Sequence, residues 1–223
     1  MPGLVVQNHR FIPLNFTLGM RMELLSVNVG KIAPLFIHEA GDKPSKILSA
    51  IRKSPVSTIT DPVSVQVRPL HIVGDQTADE RVHGGADKAV YLMPVEHYAF
   101  WERMRLENRV SDQPMPHGFL GENLTIGGLL EDDIFIGDEI KIGGVIFRVT
   151  QPREPCFKFN ARMGYRLASK HMVQAGNCGW YAQVITPGEL TAGMRLTVTA
   201  GMRRQSIAAE FARINRRGQA SLL

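Results

Sequence analysis

Cysteine is scarce: the 223 residues hold only Cys156 and Cys178. Neither lies in a Cys-x-x-Cys pair or at metal-ligand spacing to a histidine, which argues against a zinc site and against a disulfide framework. With ten methionines beside them, they suit a reducing compartment, and the cytoplasm is the expected location. Long apolar runs are missing as well. No stretch reaches the ~18 residues needed to cross a bilayer, so no membrane partner is expected. Pro13 and Asn15 interrupt the apolar N-terminal segment, and no small-residue cleavage site follows it. Residues 1–21 therefore read as an extension, with Met20 and Met22 as alternative translation starts. The chain also lacks a nucleophile elbow, a phosphate loop, a dinucleotide fingerprint and a zinc-protease helix.

Charge is unbalanced mainly at the ends. The formal net charge is +5, but residues 1–21 contribute +2, and residues 201–223 contribute +4 through Arg203, Arg204, Arg213, Arg216 and Arg217 against Glu210. Residues 22–200 stand at −1, so nucleic-acid binding would have to rest on the tail and is disfavoured.

What is present is a 44% hydrophobic chain with 21 glycines and 13 prolines, in which short apolar runs are separated by turn signals. This composition predicts a mainly β protein with a few helices, built as a barrel or barrel-like sheet. Strands are expected at Glu23–Val29, at Val63–Val67 with Leu70–Val73 continuing the pattern after Pro69, at Ala89–Met93, at Trp180–Ile185 and at Met194–Thr199. Glu139–Ile142 and Val145–Thr150 alternate around Gly143-Gly144, which predicts a hairpin with positive φ in its turn. A helix is expected from Pro94, with Val95, Tyr98, Trp101 and Arg105 on one face. Ser206 is placed to cap a last helix whose Ile207, Phe211 and Ile214 share a face. Three units follow: an extension over 1–21, a core domain over 22–200 and a basic helical tail over 201–223.

The richest segment for chemistry is Gln151-Pro-Arg-Glu-Pro-Cys-Phe-Lys-Phe-Asn160. Two prolines stiffen the backbone around Arg153 and hold Cys156 in a loop. Between Arg148 and Lys170 lie six cations and one acid, Glu154, an excess that favours a thiolate and attracts an anion. The alternative is a buried structural cysteine beside a wet helix face running from about Asn160 to Gln174. Cys178, in Gly176-Asn-Cys-Gly179, reads as structural. His83-Gly84-Gly85 with Asp87-Lys88 has the form of an anion-binding turn, and also of a plain one. Glu122 and Asn123 suit either a polar ring or the backbone of their own turn. His97 reads as a surface or core histidine.

Taken together, VHGGADKAVY (82–91), PVEHYAFW (94–101), GFLGENL (118–124), IGD (136–138), QPREPCFK (151–158) with Asn160, and GWY (179–181) resemble the MOSC family, most closely its bacterial YiiM-type branch. The resemblance covers about residues 22–200. It implies a MOSC-type β-barrel, independence from pyridoxal phosphate, and a molybdenum cofactor (molybdopterin) whose metal is bound by Cys156. It further implies an oxidoreductase that reduces small N-hydroxylated compounds, including hydroxylamino base analogues, with electrons from a separate reductase. His83, Gly84, Gly85, Lys88, Glu122, Asn123, Arg153, Lys158 and Asn160 are the implied cofactor contacts, with Glu122 either receiving pterin N–H groups or orienting a neighbour. Relatives often carry a three-helix domain after this region, whereas residues 201–223 allow about one helix. A non-catalytic carrier of the cofactor or of sulfur remains the alternative function.

Overall fold

Period-two alternation sets the strands, which outweigh the helices among the described residues. The computed structural model describes residues 21–37, 45–79 and 84–220. Among the described residues, the strands in chain order are β1 (Glu23–Gly30), β2 (Ala33–Ile37), β3 (Ser45–Ser49), β4 (Lys53–Thr58), β5 (Val65–Arg68), β6 (His71–Ile72), β7 (Val90–Pro94), β8 (Leu124–Gly127), β9 (Glu139–Ile142), β10 (Val145–Pro152), β11 (Trp180–Thr186), β12 (Gly188–Leu190) and β13 (Leu196–Thr199). The α-helices are α1 (Tyr98–Glu107), α2 (Phe157–Met163), α3 (Ala168–Ala175) and α4 (Ile207–Ala220). None is long and apolar enough to cross a membrane.

Eight strands form one sheet in the order β13-β9-β10-β11-β7-β8-β1-β4. Every pair is antiparallel except β7 with β8, where a crossover is required and α1 supplies it. The sheet curls until its first strand meets the start of its last: Leu24 N donates to Met194 O (2.9 Å), and Leu196 N donates to Met22 O (2.8 Å). One bridge, Glu23 with Arg195, joins them, so the sheet is barrel-like without a continuous ladder closing it. Inward residues such as Leu24, Leu92, Ile126, Phe147 and Trp180 are fully buried, as alternation demands. Trp101 of α1 meets Phe159 of α2 edge to face at 5.2 Å, which ties both helices to that core.

The hairpin forms as expected, with Val145 opposite Ile142, but only Gly143 needs positive φ (+57°). Leu70–Val73 departs from expectation. Only His71–Ile72 is strand; it folds back on β5, and Leu70 stays 58% exposed. Pro94 closes β7, and a 3₁₀ turn over Val95–His97 delays α1 to Tyr98. Gly164, at φ +83°, breaks the expected 160–174 helix into α2 and α3. In α4, Ala209 N donates to the Ser206 hydroxyl (3.2 Å), and Ile207 and Phe211 are buried in the common core. Arg203 pairs with buried Asp138 (3.1 Å), which anchors the lead-in to that helix.

Candidate functional site

β10 delivers the chemical segment to one end of the sheet. Arg153 N donates to Gly179 O (3.2 Å), extending the β10–β11 pairing by one step. Gly179 has φ +62°, and a Cβ there would stand 2.3 Å from Leu92 O, so no other residue fits this approach. The Arg153 side chain then turns inward and is only 5% exposed. Its guanidinium lies over the rings of Tyr91 (5.3 Å) and Phe159 (4.7 Å), and Nη1 reaches Met172 Sδ at 3.5 Å. Burial disfavours its charge, yet the Tyr91 and Tyr181 oxygens keep its proton affinity above the ordinary arginine value. Among the described residues no carboxylate pairs with it. A buried cation without a counter-ion is costly, and an anionic ligand would relieve that cost.

Beside Arg153 opens a cleft enclosing about 730 Å³, part of it continuous with solvent. Cys156 lies on its wall, half-buried, as the extended residue before α2, and it is not in a disulfide. Lys158 and Lys88 share the cleft with it. Tyr91 and Tyr181 add two ring faces, 5.4 Å apart between centroids, and Lys88 Nζ stands 5.9 Å from the centre of Tyr181. Thr150 Oγ1 donates to Asp87 O (2.6 Å), fixing the turn that carries Lys88 to β10.

The opposite wall comes from distant parts of the chain. Lys53 Nζ and Asn123 Nδ2 (2.8 Å) both donate to Asp75 Oδ2, and Gly30 N donates to Asp75 Oδ1 (2.7 Å). Burial lowers the Lys53 pKa against the opposing pull of Asp75. Asn123 Oδ1 accepts from Tyr91 N (3.2 Å), locking this wall to the ring pair.

Behind the cleft a buried pair supports it. His97 Nε2 donates to Glu131 (2.8 and 3.0 Å), whose Oε1 also accepts from Gly179 N (2.7 Å) and Cys178 N (3.1 Å). Burial pushes the Glu131 pKa up, but the His97 bond and charge and the Gly179 amide outweigh it and hold the carboxyl below its usual range. Tyr91 OH donates to Cys178 O (2.8 Å). His97 is thus a core residue that fixes the turn beneath Arg153 and Tyr91.

Of the residues read from the sequence, Cys156, Arg153, Lys158, Lys88 and Asn123 line the cleft. Four do not. Glu122 points away from it between Gly121 and Asn123; Tyr98 OH, Gly118 N (2.8 Å) and Thr125 Oγ1 (2.8 Å) all donate to its Oε1. Asn160 Oδ1 accepts from Ser169 N (2.7 Å), stapling α2 to α3. Gly84 and Gly85 lie off the cleft, where Gly85 O accepts from Lys88 N (3.1 Å) to open the 3₁₀ turn. His83 lies outside the described residues. The cation excess also disperses in space: Arg148 pairs with Glu139 on the wet face of the hairpin, and Arg162 turns to Phe119. Sequence reading missed Lys53, Asp75, Tyr91 and Tyr181 as wall residues. Tyr91 and Tyr181 stand inside the segments VHGGADKAVY and GWY, whereas no local pattern marks Lys53 or Asp75.

The fold has a counterpart among known proteins. The MOSC domain model matches residues 79–197, and this chain belongs to the MOSC domain family. Its relatives place it in the YiiM-type branch: Bacillus subtilis YflK is 34% identical over 196 residues, 87% of this chain and 81% of that protein. Escherichia coli YiiM is 32% identical over 149 residues, 67% of this chain and 65% of that one. A Gibberella moniliformis protein named a reductase is 34% identical over 123 residues, 55% of this chain but 21% of that much longer protein. The crystal structure of YiiM from Geobacillus stearothermophilus superposes with a TM-score of 0.63 at 30% identity, covering 85% of this chain and 82% of that one.

Proposed function

We propose that the cleft holds a molybdenum cofactor, with the Cys156 thiolate as a ligand of the metal, and that the protein reduces N-hydroxylated compounds, including hydroxylamino base analogues, to amines. Buried, uncompensated Arg153 beside the accessible Cys156 thiol is the observation that carries this reading. The residues fit the group. Among the described residues no cluster of three His, Cys, Asp or Glu side chains can hold a metal unaided, so a metal at Cys156 suits a group that brings sulfur ligands of its own. Family membership and the reductase-named relative support the same chemistry.

When bound, the cofactor supplies a two-electron couple able to remove the oxygen of an N–O bond as water, using two protons and two electrons from a separate reductase. The chain's residues do the rest. Arg153 and Lys158 pair with the cofactor's anionic phosphate, because a charge-assisted bond is strongest where water is excluded. Tyr91 and Tyr181 offer ring faces to a planar heterocycle. Lys53 Nζ, its proton held less tightly because of burial, is the group on the wall suited to protonate the leaving oxygen.

The test is expression in a host that makes the cofactor, followed by molybdenum analysis and turnover of an N-hydroxylated base with a chemical reductant. Molybdenum close to one per chain and amine formation are expected. Loaded protein that never consumes the base would make it a carrier, and protein without molybdenum would contradict the reading altogether.

A further inference from the structure

The wall bordering the cleft has a second side. Ile51, Lys53, Gly121 and Asn123 face the cleft, whereas the intervening Arg52 and Glu122 do not. On that far side Phe119 gathers cations. The Arg162 guanidinium sits 3.6 Å from its ring centre and donates from Nε to Phe119 O (2.8 Å), and Arg105 of α1 stands 4.6 Å from the same ring. Arg52 is near enough to repel Arg162: burial first, then Arg52 and more weakly Arg105, pull the Arg162 pKa down to about 10. None of the three makes an ion pair among the described residues, and Arg105 Nε is buried without a partner. The nearby acids are Glu102, whose Oε1 accepts from Met115 N (2.8 Å), and wholly buried Glu122, whose Oε1 takes three donors while its Oε2 is buried without a partner.

We propose that Arg52, Arg105 and Arg162 form a second anion site, separate from the cleft, that takes the phosphate group of a small phosphorylated molecule. Stacking on Phe119 restrains two planar guanidiniums while leaving N–H edges for a tetrahedral anion. Glu122 beside Arg162 and Glu102 beside Arg105 offset two of the three charges, leaving a surplus of about one for an anion to meet. Part-buried Arg105 and Arg162, neither in an ion pair among the described residues, are otherwise a cost to the fold. The site does not depend on the cofactor reading, since none of its residues lines the cleft.

The experiment is isothermal titration of the full chain, at fixed ionic strength, with inorganic phosphate, a nucleoside monophosphate and the matching nucleoside. Saturable binding of phosphate and of the monophosphate is expected, with none for the nucleoside. Tighter binding of the monophosphate identifies an organic phosphate as the source, and equal binding identifies free phosphate. Arg162→Gln should weaken binding about tenfold or more, and exposed Arg52→Gln repeats the test in a variant that leaves the Phe119 contact untouched. In Arg153→Gln, which removes anion binding in the cleft, saturable phosphate binding at the second site should remain. Absent binding in wild type overturns the proposal, and so does binding lost in Arg153→Gln but kept in Arg52→Gln and Arg162→Gln.

Discussion

Cys156 and Cys178 flank the same loop and helix pair, yet the fold uses different parts of them. Cys156 presents its thiol: the residue is half-buried on the cleft wall, and its side chain makes no capping bond to α2. Cys178 presents its backbone. Its N–H goes to Glu131, its carbonyl receives Tyr91 OH, and its side chain is fully buried. Burial, reinforced by the Glu131 charge, pushes its thiol pKa well above the ordinary value. Access and surroundings, not the element sulfur, separate a thiol open to the cleft from a packing group.

Substitution is the sharpest way to break that contrast. Cys156→Ser should reduce turnover of an N-hydroxylated base to background while leaving the far-ultraviolet circular dichroism unchanged, because oxygen replaces a soft thiolate with little change in volume. Glu131→Gln should show that the Cys178 side matters through its backbone: loss of the buried pair with His97 should lower unfolding stability by about 3 kcal/mol, read from the denaturant midpoint. Because the Glu131 pKa is depressed in the fold, its stabilisation is present above the ordinary value of 4.5 and is lost as pH falls through the folded value. Wild type should therefore lose stability more steeply in acid than Glu131→Gln does. Arg153→Ala should weaken cofactor retention about 10- to 100-fold, the value of a bond or two to a charged group, measured as molybdenum remaining after dialysis. Cys178→Ser should have the smallest effect, retaining most activity. The raised thiol pKa gives a pH signature: its contribution is full below the ordinary value of 9.0 and declines as pH rises toward the folded value, so wild type should lose stability above pH 9.0 more steeply than the serine variant.

Local order explains what the sequence showed. The 139–150 hairpin and the buried face of α4 were legible because alternation and spacing are local properties, fixed before any tertiary contact. Cys156 and Arg153 were legible because two prolines mark a rigid loop within one short segment. Lys53 and Asp75 on the opposite wall were not, since they meet Asn123 only after β1 pairs with both β4 and β8. Charge counted along the chain also misled. Alternation in β10 sends Arg148 to solvent, and the break at Gly164 splits the expected basic helix, so just two of six cations reach the cleft. Glu122 and Asn160 share motifs with cleft residues but face the other way, where backbone and hydroxyl donors claim them.

X-ray absorption at the molybdenum edge tests the central claim most directly, because it reads the metal's ligands and not activity. Wild type and Cys178→Ser, purified from a cofactor-competent host, should show the same sulfur shell, and Cys156→Ser should show one sulfur fewer. Indistinguishable spectra from loaded wild type and Cys156→Ser would contradict the assignment of Cys156 as the metal's protein ligand.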